Sequence, residues 1–88
     1  MDVVDVMEQA RDVIARTFGL AAADVPDSVS MATFPRWDSL HHLTLVLSLE
    51  DQFGLAYGSD EMPRMTSLED ITRITARHLH LETSDIAE

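Results

Sequence analysis

Apolar residues recur at three- and four-residue steps in three separate stretches of this chain, and that spacing limits the fold more than any other feature. The first stretch, residues 3–18, places apolar side chains on one face of a helix and charged side chains on the other. Gly19 follows at once and is typical of a helix C-terminus. Since no stretch alternates apolar and polar residues as a strand does, the spacing predicts an all-α chain.

The second stretch, residues 39–53, follows Asp38, whose short side chain can cap free backbone N–H groups, and ends before Gly54. Its apolar residues cover a wide arc, so we expect this helix to be the central one. The stripe that we expect to face the core consists of Leu40, Leu43, Val46, Leu47, Glu50 and Phe53. Leu45 and Leu49 lie off this stripe, and we expect Leu45 to be exposed.

The third stretch begins near Thr66 or Ser67. Thr66 with Glu69 makes a capping-box pattern, and Ser67 with Asp70 makes a weaker one. The apolar face predicted for this last helix consists of Leu68, Ile71, Ile74, Thr75 and His78. Residues 59–64 predict a short turn of helix, which Pro63 limits because proline is tolerated only in a first turn.

A long segment without period, residues 20–37, separates the first two helices. Loops of this length are uncommon unless they pack or function, so we expect its apolar side chains to pin it across the helices. Those side chains are Leu20, Val25, Met31 and Phe34. The chain is therefore predicted to be a small four-helix bundle, with three main helices, a short third helix and a long first loop. We assign residues 1–81 to this domain and 82–88 to a flexible acidic tail.

Charge and composition exclude several classes of function. Sixteen acidic residues stand against six basic ones, for a net charge of −10, which disfavours nucleic acid as a partner and favours proteins with basic docking surfaces. The absence of cysteine removes disulfides and thiolate metal sites. We expect neither a leader nor a membrane span, since we see no basic and apolar N-terminal segment and no apolar run of about 20 residues, and we expect a cytoplasmic location.

Ser39 is the residue on which the prediction of function depends. At the first position of a helix its hydroxyl points into solvent, beside free N–H groups that favour an anion. A phosphate ester on that oxygen would lie in a favourable field. The same Asp-Ser pattern is also ordinary capping, so the residues alone leave both interpretations open.

A resemblance decides between them. Asp-Ser-Leu at 38–40, at the head of an amphipathic helix that ends Leu-Glu-Asp-Gln-Phe-Gly at 49–54, resembles the acyl carrier proteins. Residues 65–71 look like that family's approach to its last helix, and the end of the first helix is also similar. Trp37, before Asp-Ser-Leu, resembles free-standing carriers of specialised pathways, such as polyketide or nonribosomal peptide systems. Arg36 stands where the family often has glycine.

The resemblance implies a carrier and not an enzyme. A phosphopantetheinyl transferase would attach 4'-phosphopantetheine from coenzyme A to Ser39, and the arm's thiol would hold acyl or aminoacyl groups as thioesters. Asp38 would shape the approach to Ser39, and Leu40 would anchor the turn against the core. The implied partners are acyl- or aminoacyl-loading and condensing enzymes of fatty-acid, polyketide or nonribosomal peptide-type biosynthesis. The carrier itself would be a monomer.

The second helix would be the main docking surface for those enzymes. The docking residues expected on it are His41, Thr44, Leu45, Glu50 and Asp51. Acids are sparse along it, which disfavours a standard fatty-acid synthase as partner. Bound cargo could slip between the helices. The candidates for lining such a pocket are Leu43, Val46, Leu47, Phe53, Tyr57, Met62, Met65 and Ile71.

The sequence allows three other interpretations. The chain could be a carrier-like interaction domain that works without the arm. A serine hydrolase using Ser39 and His42 lacks the strand–elbow–helix context and a substrate cleft. A metal site is disfavoured because His41 and His42 point about 100° apart on a helix, while His78 and His80 face nearly opposite ways.

Overall fold

Three helices form the fold. The computed structural model describes residues 1–81, and the acidic tail predicted at 82–88 lies outside the described residues. The α-helices are α1 (Val3–Phe18), α2 (Ser39–Phe53) and α3 (Leu68–His78), with 3-10 turns at Ala22–Asp24 and Met62–Arg64. Residues 1–81 contain no strand, which confirms the all-α class. Nor is any helix in this part of the chain long and apolar enough to cross a bilayer.

Polar caps and glycines set the ends of the first two helices where the sequence predicts them. The Asp2 side chain accepts the Asp5 N–H at 2.9 Å to begin α1, and Asp38 caps α2 in the same way. Gly19 and Gly54 end these helices in the left-handed region, with φ of 69° and 65°. Glycine adopts that conformation without the Cβ strain of other residues.

The central helix is α1, because it packs against both α2 and α3. The prediction that the second helix is central is therefore wrong. A helix between two neighbours must bury two arcs of its surface, and α1 buries Val6, Ala10, Val13, Ile14, Ala15 and Phe18. A helix with one neighbour needs a single narrow arc, and α2 buries Leu45, Val46 and Leu49.

The predicted core face of α2 is wrong for its three leucines, although Val46 is buried and Phe53 packs against the core. Leu45 and Leu49 are 0% exposed, whereas Leu40, Leu43 and Leu47 are 71%, 47% and 55% exposed. Both sets follow a helical period, and two residues of offset place them about 200° apart on the helix. Spacing alone therefore could not decide which set faces α1.

The long first loop packs as predicted. Its predicted anchors, Leu20, Val25, Met31 and Phe34, all join the hydrophobic core or pack against it. Val29 and Trp37 are buried as well, which the sequence pattern did not indicate. Met31 N–H donates to the Thr66 carbonyl at 2.9 Å, and Leu68 N–H donates to the Val29 carbonyl at 3.1 Å. These two bonds tie the loop to the start of α3.

The segment between α2 and α3 holds a single 3-10 turn where the sequence predicts a short helix, and Pro63 lies in it. Ser67, rather than Thr66, is the N-cap of α3, and it accepts the Asp70 N–H at 3.0 Å. The Thr66 carbonyl accepts the N–H of Met31 in the first loop.

Candidate functional site

Ser39 is the first residue of α2, and it is exposed. Asp38 before it is extended, with φ of −103° and ψ of −174°, so the chain turns into the helix at this point. The first N–H groups of a helix have no intrahelical acceptor. Those of Ser39 and Leu40 therefore remain available to an anion beside the Ser39 hydroxyl.

Asp38 is held by His41, one turn into the helix. Its Oδ1 accepts the His41 backbone N–H at 2.9 Å and lies 2.8 Å from His41 Nδ1. The hydrogen bond from the His41 backbone N–H is the largest cause that keeps the pKa of Asp38 below its ordinary value, and the bond to the His41 ring is the second largest. The carboxylate is thus charged and turned onto the helix, where it caps the first turn, and Ser39 beside it is exposed.

An aromatic cluster supports the chain just before Ser39. Phe18, at the end of α1, meets Phe34 edge-on at 4.9 Å between ring centroids. The His41 ring stacks on Phe18 at 5.4 Å, and the Arg36 guanidinium lies 5.9 Å from the Phe18 centroid. Both contacts are within the range at which aromatic and cation–π attraction operate. They fix the position of the segment that delivers Ser39.

His42 joins that segment to the Met62–Arg64 turn. Trp37 Nε1 donates to His42 Nδ1 at 3.0 Å, and His42 Nε2 lies 2.7 Å from the Met62 carbonyl oxygen. Since an indole N–H can only donate and a carbonyl can only accept, Nδ1 accepts from Trp37 and Nε2 donates to the Met62 carbonyl. Both ring nitrogens are therefore used, and His42 does not serve Ser39 as a base. Nothing in the local sequence pattern indicated this link.

Two predicted site residues lie elsewhere than expected. Leu40 is 71% exposed, so it does not anchor the turn against the core, and Leu45 is 0% exposed, so it cannot contact a partner. The reversed face of α2 accounts for both errors. Glu50, another predicted docking residue, is half-buried and accepts the Tyr57 N–H at 2.8 Å, so it has a structural role.

The other predicted docking residues, His41, Thr44 and Asp51, lie at the surface of α2. Beside them lie the exposed leucines of α2, Leu40, Leu43 and Leu47, which we call the leucine stripe. The stripe begins next to Ser39 and follows the helix away from it. Because Leu43 and Leu47 belong to it, they do not line an interior pocket for cargo.

Two surface depressions have volumes that bear on function. A groove of about 310 Å3 runs between α1 and α2 beside the leucine stripe; it is lined by Arg16, Thr44, Leu47, Ser48, Asp51 and Gln52. A second, of about 470 Å3, lies at the starts of α1 and α3; it is lined by Val3, Met7, Asp27, Ser28, Glu69, Thr72 and Arg73. The first adjoins the predicted docking helix, and the second does not.

Away from Ser39, an ionisable pair joins α3 to the segment between α2 and α3. His78 Nε2 lies 2.6 Å from Glu61 Oε1, and this bond is the largest cause that lowers the pKa of Glu61. Within residues 1–81 no three histidine, aspartate or glutamate side chains are grouped to hold a metal ion. In a comparison with known families, no family model matches the chain.

Proposed function

We propose that this chain is an acyl carrier protein whose Ser39 bears 4'-phosphopantetheine. The observation that carries the proposal is the exposed Ser39 hydroxyl at the first position of α2. Asp38 is drawn back onto His41 there, and the first N–H groups of the helix are free. The arrangement suits an oxygen that must enter another protein's active site and then hold a phosphodiester.

The loading step would use coenzyme A and a phosphopantetheinyl transferase. The Ser39 oxygen forms a bond to phosphorus, the pyrophosphate bond of coenzyme A breaks, and adenosine bisphosphate leaves. The serine proton passes to the transferase or to water, since both His42 nitrogens are already bonded. The free N–H groups at the start of α2 stabilise the charge of the phosphate that remains.

The rest of the molecule would serve as a monomeric scaffold for the arm. In this proposal the Met62–Arg64 turn takes the place of the short third helix of a four-helix carrier bundle. The arm's thiol carries acyl or aminoacyl thioesters between loading and condensing enzymes of a cytoplasmic specialised pathway. The chain itself catalyses nothing.

A second candidate is a carrier-like interaction domain that works without the arm. The leucine stripe favours it, because three exposed leucines on one helix face form a binding surface that needs no modification of Ser39. The two candidates differ in what Ser39→Ala does. The substitution stops a carrier and leaves an interaction domain active.

Intact-mass analysis after incubation with coenzyme A and a broad-specificity phosphopantetheinyl transferase tests the carrier function. We expect the wild-type chain to gain one phosphopantetheine and Ser39→Ala to gain none. Ser59→Ala, which removes another exposed serine hydroxyl, is the matched control and should load as the wild type does. A wild-type chain that stays unmodified with several such transferases, or a loaded Ser39→Ala, overturns the proposal.

A further inference from the structure

The ring of His42 joins the end of the first loop to the segment between α2 and α3. Its Nδ1 accepts the indole N–H of Trp37 at 3.0 Å, and its Nε2 donates to the Met62 carbonyl at 2.7 Å. Trp37 lies just before the start of α2, and Met62 begins the 3-10 turn. We call these two hydrogen bonds and the ring between them the histidine link. It ties three parts of the chain together at one side chain.

The histidine link requires a ring that carries one proton. An indole N–H can only donate, so Nδ1 must have its lone pair free, and the single ring proton is on Nε2. A second proton would make both ring nitrogens donors. The bond to the Met62 carbonyl would then remain, whereas the indole N–H of Trp37 would face another donor and lose its acceptor. The two bonds of the link therefore differ in their response to acid.

The loss of that acceptor matters because the indole is buried. Trp37 is 2% exposed, so water does not reach its N–H where it lies. A buried donor without an acceptor is unfavourable, and the indole must move until its N–H reaches water or another acceptor. Trp37 is two residues before Ser39, and the chain between them is exposed. A proton on His42 is thus coupled to the position of the segment that leads into Ser39.

Two other histidines respond to acid in the opposite way. His41 lies 2.8 Å from Asp38, and His78 lies 2.6 Å from Glu61. Both carboxyls have a pKa below the ordinary value, chiefly through the His41 backbone N–H at Asp38 and through the His78 ring at Glu61. A second proton on either ring makes a charge-assisted bond to a carboxylate. Within residues 1–81, no carboxylate forms an ion pair with His42, so a proton there gains no such bond.

The remaining charges near the link do not favour a proton on the ring. The charged or titratable groups on the elements that meet there are Arg36, Asp38, His41, Glu61, Arg64 and His78. The two carboxylates among them are bonded to the other histidines, and the two arginines repel a further positive charge. Helix α1 contacts Trp37 through Phe18, but the Arg16 guanidinium in its last turn is bonded to Gln52, toward the end of α2.

We propose that the histidine link is a pH-sensitive switch on the segment that leads into Ser39: a second proton on His42 releases Trp37, while the ring keeps its bond to the Met62 carbonyl. Histidine side chains change charge between about pH 8 and about pH 5. The bond to Trp37 is therefore present at the upper end of that range and is lost as the pH falls. The inference goes beyond the carrier function, since it does not require Ser39 to be modified.

NMR of the whole chain, labelled with 15N, tests the switch. At about pH 8 the His42 Nδ1 signal should be that of an unprotonated imidazole nitrogen, and the Nε2 signal that of a protonated one. Toward about pH 5 the Nδ1 signal should move to the protonated value. The Trp37 indole N–H proton should shift upfield with the same midpoint, because its hydrogen bond is lost. Far-ultraviolet circular dichroism should stay constant, since the helices remain.

Three variants identify the responsible ring. His42→Gln supplies an amide with a donor and an acceptor that takes no proton in this range, so the Trp37 indole signal should stop responding to pH. His41→Gln and His78→Gln remove the two rings that bond carboxylates and should leave the indole response in place. Ser39→Ala should respond as the wild type does.

Several results overturn the inference. They are a His42 Nδ1 that is already protonated at about pH 8, an indole signal that stays constant while His42 titrates, and an indole response that persists in His42→Gln. Loss of helix with the same midpoint also overturns it, since the release would then be unfolding. If His42→Gln does not fold, the imidazole and indole signals of the unaltered chain decide alone. A failure of loading with coenzyme A leaves this result intact, and the reverse also holds.

Discussion

Helices α1 and α2 are built to nearly the same plan and placed differently. They have 16 and 15 residues, each begins at an aspartate cap, and each ends at a glycine in the left-handed region. Yet α1 lies between two helices, while α2 packs against α1 alone among the main helix pairs. Nearly equal lengths and equivalent ends therefore do not give equal burial.

The difference shows where the molecule keeps apolar surface that its own core does not use. Three leucines of α2 are about half or more exposed, whereas among the large hydrophobic residues of α1 only Val4 is exposed to that degree. Single exposed hydrophobic residues are ordinary, whereas several on one helix face are typical of binding surfaces. This apolar surface outside the core lies on α2, the helix that begins with Ser39.

The largest expected effect separates the two faces of α2. Leu49→Ala removes a side chain that is 0% exposed and should lower the free energy of unfolding by about 2–5 kcal/mol. Leu47→Ala, its matched control on the leucine stripe, should change it by no more than about 0.5 kcal/mol. Urea denaturation followed by circular dichroism measures both. Equal losses would mean that α2 is covered on both faces.

His42→Ala tests how α2 is held at its Ser39 end. The substitution leaves the buried Trp37 Nε1–H without an acceptor and should cost about 1–3 kcal/mol. His41→Ala, next along the helix, removes a ring bonded to an exposed carboxylate and should cost less. Thermal unfolding of the two variants gives the comparison. The reverse order would show that the aromatic cluster, and not the His42 link, holds this end.

Gly19→Ala and Gly54→Ala should affect α1 and α2 alike. Each glycine has a positive φ, and a Cβ added at either position meets nothing within 4 Å, so the cost is backbone strain alone. We expect about 1–2 kcal/mol for each. Chemical denaturation of both variants under one set of conditions checks the equality. A clear difference would show that the two helix ends are not equivalent.

Tyr57 connects α2 to α3. Glu50 of α2 accepts its N–H at 2.8 Å, and its hydroxyl lies 2.6 Å from Thr75 Oγ1 of α3. Tyr57→Phe should cost about 1 kcal/mol at neutral pH through loss of the hydroxyl bond. Calorimetric unfolding of the wild type and of Tyr57→Phe measures this loss of stability.

The same residue gives a pH dependence with a definite sign. Burial, above all, raises the pKa of Tyr57 from 10.0 to about 12. The folded chain keeps the proton where the unfolded chain loses it, so stability should fall as pH rises from about 10 to about 12. All six basic residues are arginine, hence no lysine titrates there. Tyr57→Phe should flatten the decline; an unchanged slope would assign it to other groups.

The smallest effect is expected for Ser39→Ala. The hydroxyl is exposed, so the free energy of unfolding should change by no more than about 0.5 kcal/mol while loading with coenzyme A is lost. Urea denaturation and intact mass on one preparation measure both quantities. A strongly destabilised variant would show that Ser39 has a structural task at the start of α2.

The sequence predicted local features of the fold better than contacts between distant residues. Asp38 and Gly54 act through adjacent backbone, so the bounds of α2 could be predicted from the residues alone. The spacing alone could not predict the buried face of α2, because Leu45 with Leu49 and Leu43 with Leu47 repeat at the same four-residue interval. The discriminating signal was the composition of each stripe, since Thr44 and Asp51 fall on the exposed one.

At the candidate site, the exposure of Ser39 and the cap at Asp38 followed from helix geometry. The link from Trp37 through His42 to the Met62 carbonyl did not, because it joins segments 20 residues apart and depends on how loop and helix pack. The role of Leu40 was mispredicted for the same reason as the buried face of α2.

The bond between Trp37 and His42 has a practical consequence. Trp37 is the chain's single tryptophan, it is 2% exposed, and its indole is two residues from Ser39. Excited at wavelengths that Tyr57 does not absorb, the unlabelled protein therefore emits from one indole, which lies just before α2. A red shift or a change in quantum yield would report any event that separates the indole from the imidazole, in real time and without a dye.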